Sequence, residues 1–325
     1  MLVFIVRRSL RAVLVLLVMS VLVFIGVYVV GNPMDILVNP QADPLQRQHA
    51  ISALGLEEPL WTQYRVFVCA ALRGDLGESF VHNMPALGLV LERLPATLEL
   101  CVAALLIALA LAVPLGLLAG LKPDTAVGRF VNAGSILGVS LPTFWVGVML
   151  VMVFSVMLGW LPAKGRGPTT LLFGVGVSFL SHDGWRYLLL PAISLASFEL
   201  ALFTRLIRAG TVAALRQDYV KFARAKGLPN RRVVGVHVLR NAILPLGGRI
   251  GLETGSVIAL AIVTESVFAW PGVGGLLIDS IHQLDRPTIV AYLLVTVLLL
   301  TGINLVFDIF FAALDPRVRL SEAKG

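Results

Sequence analysis

Six apolar stretches of bilayer length, none alternating between polar and apolar residues, limit what this chain can become. They cover residues 13–30, 98–121, 131–160, 188–207, 246–263 and 289–312. A segment surrounded by hydrocarbon must satisfy its own backbone polar groups, so only helices and closed barrels cross a membrane. Runs of about 20 residues without a period of two are helices. Composition agrees, since only 14% of residues are charged, against roughly 25% in ordinary soluble domains. The chain is predicted to be an all-α polytopic membrane protein with six transmembrane helices. Pro142 near the start of the third run predicts a kink or an interfacial extension. Residues 169–180 are apolar but too short to span, and suit an interfacial or re-entrant piece.

Arg7, Arg8 and Arg11 precede the first run, which invites comparison with an export signal. Its apolar core is too long for one, and Gly31-Asn32-Pro33 follows in place of a small-residue cleavage site, so an uncleaved first helix is expected. Six spans put both termini on one side. The ends and loops at 1–11, 122–129, 205–240 and 313–325 hold 17 Lys and Arg. The opposite side holds eight, together with ten acids including Asp35, Glu57, Glu58, Asp75 and Glu78. The basic side is therefore cytoplasmic. This asymmetry also accounts for the net charge of +7 without a nucleic-acid partner. Cys69 and Cys101 are not expected to pair, and the five scattered histidines show no metal-ligand spacing, so no metal site is expected.

The chain divides into an N-terminal end and first helix (1–30), an external loop (31–97) and a five-helix core (98–325). In the external loop, Leu54-Gly55-Leu56 leads to Pro59 and then LWTQYRVFVCAAL, with Leu60, Tyr64, Phe67 and Ala71 at helical spacing. A short amphipathic helix closed at Gly74 is predicted, either as a packing lid or as a docking element.

The 205–240 segment carries nine basic residues against one acid, Asp218. A helix over 206–226 is predicted to leave the fourth span and stop at Gly227, with Pro229 preventing its resumption. A second short helix over 231–241 then leads through Pro245 to the fifth span. Tyr219, Phe222, Ala223 and Lys226 share neighbouring faces of the first helix, and the small Ala223 and Gly227 permit close approach of a partner's backbone. A positive-inside loop explains the charge but not this helix–Gly–helix pattern.

The segment QDYVKFARAKGLPNRRVVGVHVLRNAILP resembles the coupling loop of binding-protein-dependent ABC importer permeases, specifically the B-type subunit of the dipeptide/oligopeptide/nickel group. Further passages carry the resemblance through most of the chain: Gly74-Asp75-Leu76-Gly77-Glu78-Ser79; Ser140-Leu141-Pro142-Thr143-Phe144-Trp145 with Leu158-Gly159-Trp160-Leu161-Pro162; Val267-Phe268-Ala269-Trp270-Pro271-Gly272-Val273-Gly274; and Asp315-Pro316-Arg317-Val318-Arg319-Leu320. The usual Glu-Ala-Ala triplet reads Lys221-Phe222-Ala223 here, which leaves Asp218 as a candidate for the acid contact.

The resemblance implies a type I ABC importer permease architecture in a bacterial inner membrane, with a coupling loop at about 209–240. It implies pairing with a homologous second permease subunit, two cytoplasmic ATPase subunits that bind ATP and Mg, and an extracytoplasmic solute-binding protein. Asp218, Tyr219, Phe222, Ala223, Lys226, Gly227, Leu228 and Arg231 would contact an ATPase. The chain itself has no Gly-x-x-x-x-Gly-Lys phosphate cradle, so it is expected to bind no cofactor and to be no enzyme.

Acids inside the spans are costly and mark interior or functional positions. Glu99 and Asp308, near span ends, read as structural. Glu199, which Arg205 or Arg249 can pair, stands with Glu253 and Glu265 between ion pairing and contact with a peptide's ammonium. Ser140 and Pro142 are further candidates for the path, and the external Trp270 turn for an outer gate or the docking face of a solute-binding protein, against a simple interhelical turn. Ser135, Thr143, Ser194 and Ser197 fit either a wet path or interhelical packing. An ion-driven secondary carrier is the competing class, and it predicts internal repeats with paired intramembrane charges, of which no clear trace is seen. Short peptides are the expected substrate, with nickel and glutathione as alternatives.

Overall fold

The computed structural model describes residues 2–26, Asp43, Leu45, 58–172 and 174–314. The helices are α1 (Leu2–Phe24), α2 (Leu60–Leu72), α3 (Ala86–Leu121), α4 (Ala126–Ser140), α5 (Thr143–Leu150), α6 (Gly184–Leu215), α7 (Asp218–Ala225), α8 (Asn230–Arg232), α9 (Leu239–Phe268), α10 (Val273–His282) and α11 (Arg286–Leu314). Among the described residues, α3, α6, Arg249–Phe268 within α9 and Arg286–Phe310 within α11 are each long and apolar enough to cross a membrane. The bent pair α4–α5 makes a fifth crossing if counted as one span. The predicted first span continues from α1 into residues 27–30, which lie outside the described residues, as do Leu54-Gly55-Leu56 and the Asp315–Leu320 motif.

Two compact units are formed, one from residues 1–94 with 272–325 and the other from 95–271. In the first, α1 packs along α11, α10 packs on α11, and α2 lies across α1. The predicted amphipathic helix is therefore present. Its buried side, Phe67 with the half-buried Tyr64 and Val68, meets Val23 and Phe24 of α1 and Val290 of α11. The Tyr64 and Ser20 hydroxyls share a 2.9 Å hydrogen bond. Leu60, Trp61 and Leu72 are exposed.

In the second unit, α6 is the central helix, contacted by α4, α5 and α9. Its approach to α3 depends on Gly116 and Gly120. A Cβ on Gly116 would stand 2.8 Å from the Ile207 side chain, and one on Gly120 would stand 2.5 Å from that of Thr211. Two glycines four residues apart lie on one helix face and let the backbones close together where apolar burial supplies no drive between helices.

The third span, expected to kink or extend along the interface at Pro142, breaks there: α4 and the helical segment Thr143–Met157 that begins with α5 are bent by 108° at Leu141-Pro142, where proline removes a helical donor and pushes the residue before it into extended geometry. The helix expected over 206–226 breaks at Arg216 and Gln217, the latter extended at ψ 148°. The second short helix does not stop before the fifth span. Instead, α8 runs through a π-helical stretch, Val233–Val238, directly into α9. Finally, 169–180 forms an antiparallel hairpin, Thr170–Leu172 paired with Val175–Val177, turned at Gly174 with φ +83°. The helix that holds the apolar run 98–121 starts earlier, at Ala86.

Candidate functional site

The basic loop folds around its own small core. Val220 and Ala223 of α7 are buried with Ala214, Val233 and Val238, and Leu117, Leu215 and Leu228 pack around them. Spacing of three residues puts Val220 and Ala223 on one face of α7. The neighbouring face carries Tyr219 and Phe222, 40% and 62% exposed. Ala223 thus turns toward the loop's own core, and the surface offered to solvent is the aromatic pair. Gly227 has φ +74° and open space around it, so it closes α7 in the left-handed conformation that glycine adopts without strain.

Charge surrounds this face. Lys221 donates to the Asp218 carboxylate at 2.9 Å, and that hydrogen bond, reinforced by the ammonium charge, holds the carboxyl below its ordinary value. Asp218 also occupies the first turn of α7, where a negative charge meets the positive end of the helix dipole. Lys226 places its ammonium 4.6 Å from the centre of the Phe222 ring. Arg224, Arg231 and Arg232 are exposed, while Leu228 is half-buried beneath. The result is a rigid two-aromatic projection with a basic rim.

Residues 112–320 match the binding-protein-dependent transport system inner membrane component, and residues 1–101 match the N-terminal component of such systems. The chain belongs to this family. The oligopeptide transport system permease protein AppB of Bacillus subtilis (strain 168) is 35% identical over 97% of this chain and 98% of its own. The di/tripeptide transport system permease protein DppB of Pseudomonas aeruginosa (strain UCBPP-PA14) is 39% identical over 89% of this chain and 90% of its own. The glutathione transport system permease protein GsiC of Escherichia coli (strain K12) is 34% identical over 98% and 99%. The chain is an integral membrane permease subunit of an ABC importer, and not itself an enzyme.

The remaining candidates of this permease separate by environment. Ser140 and Pro142 are exposed at the α4–α5 break, and the Ser140 hydroxyl donates to the Ile136 carbonyl. Glu253 accepts from Arg249 at 2.7 Å. Glu265, 1% exposed, accepts from the Thr97 hydroxyl at 2.5 Å. Glu199 is fully buried, and neither carboxyl oxygen has a hydrogen-bond partner among the described residues; the pairing considered with Arg205 or Arg249 is not formed. Ser194 donates to the Thr143 carbonyl, the interhelical packing role. Asp308 pairs with Arg8 at 3.0 Å.

The turn between α9 and α10 buries Trp270. This residue is 2% exposed, its indole N–H donates to the Ala96 carbonyl at 2.9 Å, and the Arg166 guanidinium lies 5.6 Å from its ring centre. Arg166 in turn donates to Glu99 and to the Gly176 carbonyl. Glu99 also accepts from the Ser178 N–H and hydroxyl and from the Phe179 N–H. Glu99 therefore pins the hairpin to α3. Sequence reading placed Glu99 as structural but missed Arg166 and Ser178, because their pairing spans 67 and 79 residues. It likewise missed Asp285, which is fully buried and accepts from Ser79, Phe80 and Thr288. The four-residue spacing of Gly116 and Gly120 was the one available signal for the α3–α6 contact.

Proposed function

We propose that this permease pairs with a homologous second permease subunit to form the path for short peptides across a bacterial inner membrane. Two cytoplasmic ATPase subunits, carrying ATP and Mg, drive the path, and an extracytoplasmic solute-binding protein delivers the substrate. The termini and the 205–240 loop face the cytoplasm in this reading, supported by 17 basic residues on that side. The single observation that carries ATPase docking is that α7 buries Val220 and Ala223 in its own loop while leaving Tyr219 and Phe222 exposed. Exposed aromatics on a structured support are interface anchors, and the basic rim of Lys221, Arg224, Lys226 and Arg231 adds steering and orientation.

Two relatives named for oligopeptide and di/tripeptide transport support peptides as substrate. Glutathione is the second reading, supported by the similarity to GsiC along nearly the whole chain; it is itself a short peptide-like molecule. The ion-driven carrier is set aside by family membership.

Co-purification in detergent with ATPase subunits from the same source tests the docking surface. A Tyr219→Asp, Phe222→Asp variant changes only exposed side chains and is expected to fold but to lose the ATPase. Retention of the ATPase at native stoichiometry overturns the docking assignment.

A further inference from the structure

The groove between α1 and α11 is apolar along its length and cationic at one end. Met19, Leu22, Val23 and Gly26 form one wall, and Ile289, Val290 and Leu293 form the other, around a volume of about 410 Å³. Arg286, the first residue of α11, closes the end. One of its terminal nitrogens, Nη1, is buried without a hydrogen-bond partner among the described residues. A buried donor of this kind calls for an acceptor, and a guanidinium is matched in shape and charge by a phosphate. From Met19 to Gly26 the α1 wall rises about 10 Å, a substantial part of one leaflet of a hydrocarbon core about 30 Å thick.

The depth is fixed independently by α2. This helix packs on the same Val23 and Val290 that line the groove, and it presents the exposed Trp61 beside Tyr64. Such aromatics mark the headgroup level. The cationic end of the groove and the interfacial helix therefore belong to one end of the α1–α11 pair.

We propose that this groove binds a single glycerophospholipid, with an acyl chain between α1 and α11 and the phosphodiester on Arg286. Only the leaflet, the extracytoplasmic one, rests on the orientation proposed above. A soluble anion would leave the apolar walls unused, whereas a phospholipid satisfies both the walls and the orphaned donor.

Native mass spectrometry of the complete transporter, released from membranes in mild detergent, counts the retained phospholipids. Arg286→Gln and, separately, Gly26→Leu are each expected to retain one fewer than the native complex, and Arg286→Lys to retain the native number. A Cβ at Gly26 meets nothing within 4 Å, so Gly26→Leu fills the groove while leaving Arg286 intact and serves if the arginine variants fold poorly. Equal lipid counts in native and Gly26→Leu complexes overturn the proposal. A photoreactive benzoylphenylalanine at Leu293 supplies a second reading in intact membranes. Crosslinks to phospholipid support the site, and crosslinks only to polypeptide, whether residues 27–57 of this chain or a partner, overturn it.

Discussion

Arg166 donates to the Glu99 carboxylate and the Gly176 carbonyl while its guanidinium lies over the Trp270 ring, so one side chain joins the hairpin, α3 and the turn after α9. The pair is nearly removed from solvent, with side-chain exposures of 15% and 4%. Such a pair is costly to break on one side, because the remaining charge stays buried.

Arg166→Met is therefore expected to destabilise the permease by about 3–5 kcal/mol. Glu99→Gln, Arg166→Met together should recover part of that loss. Thermal unfolding in detergent checks both; a single variant that melts with the native protein contradicts the assignment.

Removing the Asp285 charge should loosen the turn at 75–85. Asp285→Ala leaves the Ser79 hydroxyl and Phe80 N–H without their acceptor, at a cost of about 1–3 kcal/mol for each donor left buried. Limited proteolysis is expected to cut this turn earlier than in the native chain.

Gly120→Ala forces a Cβ to 2.5 Å from the Thr211 side chain. Separating α3 from α6 should cost about 1–3 kcal/mol, whereas Gly134→Ala, where a Cβ meets nothing within 4 Å, should be neutral or slightly stabilising. Comparing the two melting temperatures isolates helix contact from glycine flexibility.

Phe222→Ala should weaken ATPase association by at least about 2 kcal/mol, roughly 30-fold, if it is the interface anchor. The loop core is untouched, so the melting temperature should not move. Ala223→Leu is expected to do the reverse first, overpacking the loop core and lowering the melting temperature. Titrating ATPase onto permease in nanodiscs separates the two effects.

The Asp218–Lys221 bond supplies a pH dependence with a defined sign. The folded carboxyl is held below its ordinary value by the Lys221 hydrogen bond, so its contribution is complete above about pH 4 and is lost as pH falls through the depressed folded value. ATPase retention should therefore be unaffected by this group between about pH 5 and pH 8. Asp218→Asn should reproduce the acidic state at neutral pH.

The class of fold and the family were legible in the residues because both depend on local pattern. Apolar runs report the solvent that surrounds each helix, and the basic loop reports which end leaves the membrane. The amphipathic α2 was visible for the same reason, through the spacing of Tyr64 and Phe67. In the candidate site, the positions of Tyr219, Phe222 and Gly227 were legible, but the inward turn of Ala223 was not. Six apolar side chains from outside α7 (Ala214, Val233 and Val238 with Leu117, Leu215 and Leu228) decide it by enclosing that face, and helical spacing alone does not say which face packs inward. The break at Pro142 was legible, but its angle of 108° was not, since a proline marks a break without fixing its angle.

What the sequence by itself determined is the bilayer as solvent, the helical class, the family and the basic loop, all consequences of residue type and spacing within tens of residues. Only the tertiary structure decided that Trp270 is a buried strut, that Glu199 has no hydrogen-bond partner among the described residues, and that Glu99 and Asp285 each gather donors from distant segments. Each of those outcomes is a pairing between groups that hydrocarbon or burial leaves no water to satisfy. Which group finds which partner depends on how the helices pack.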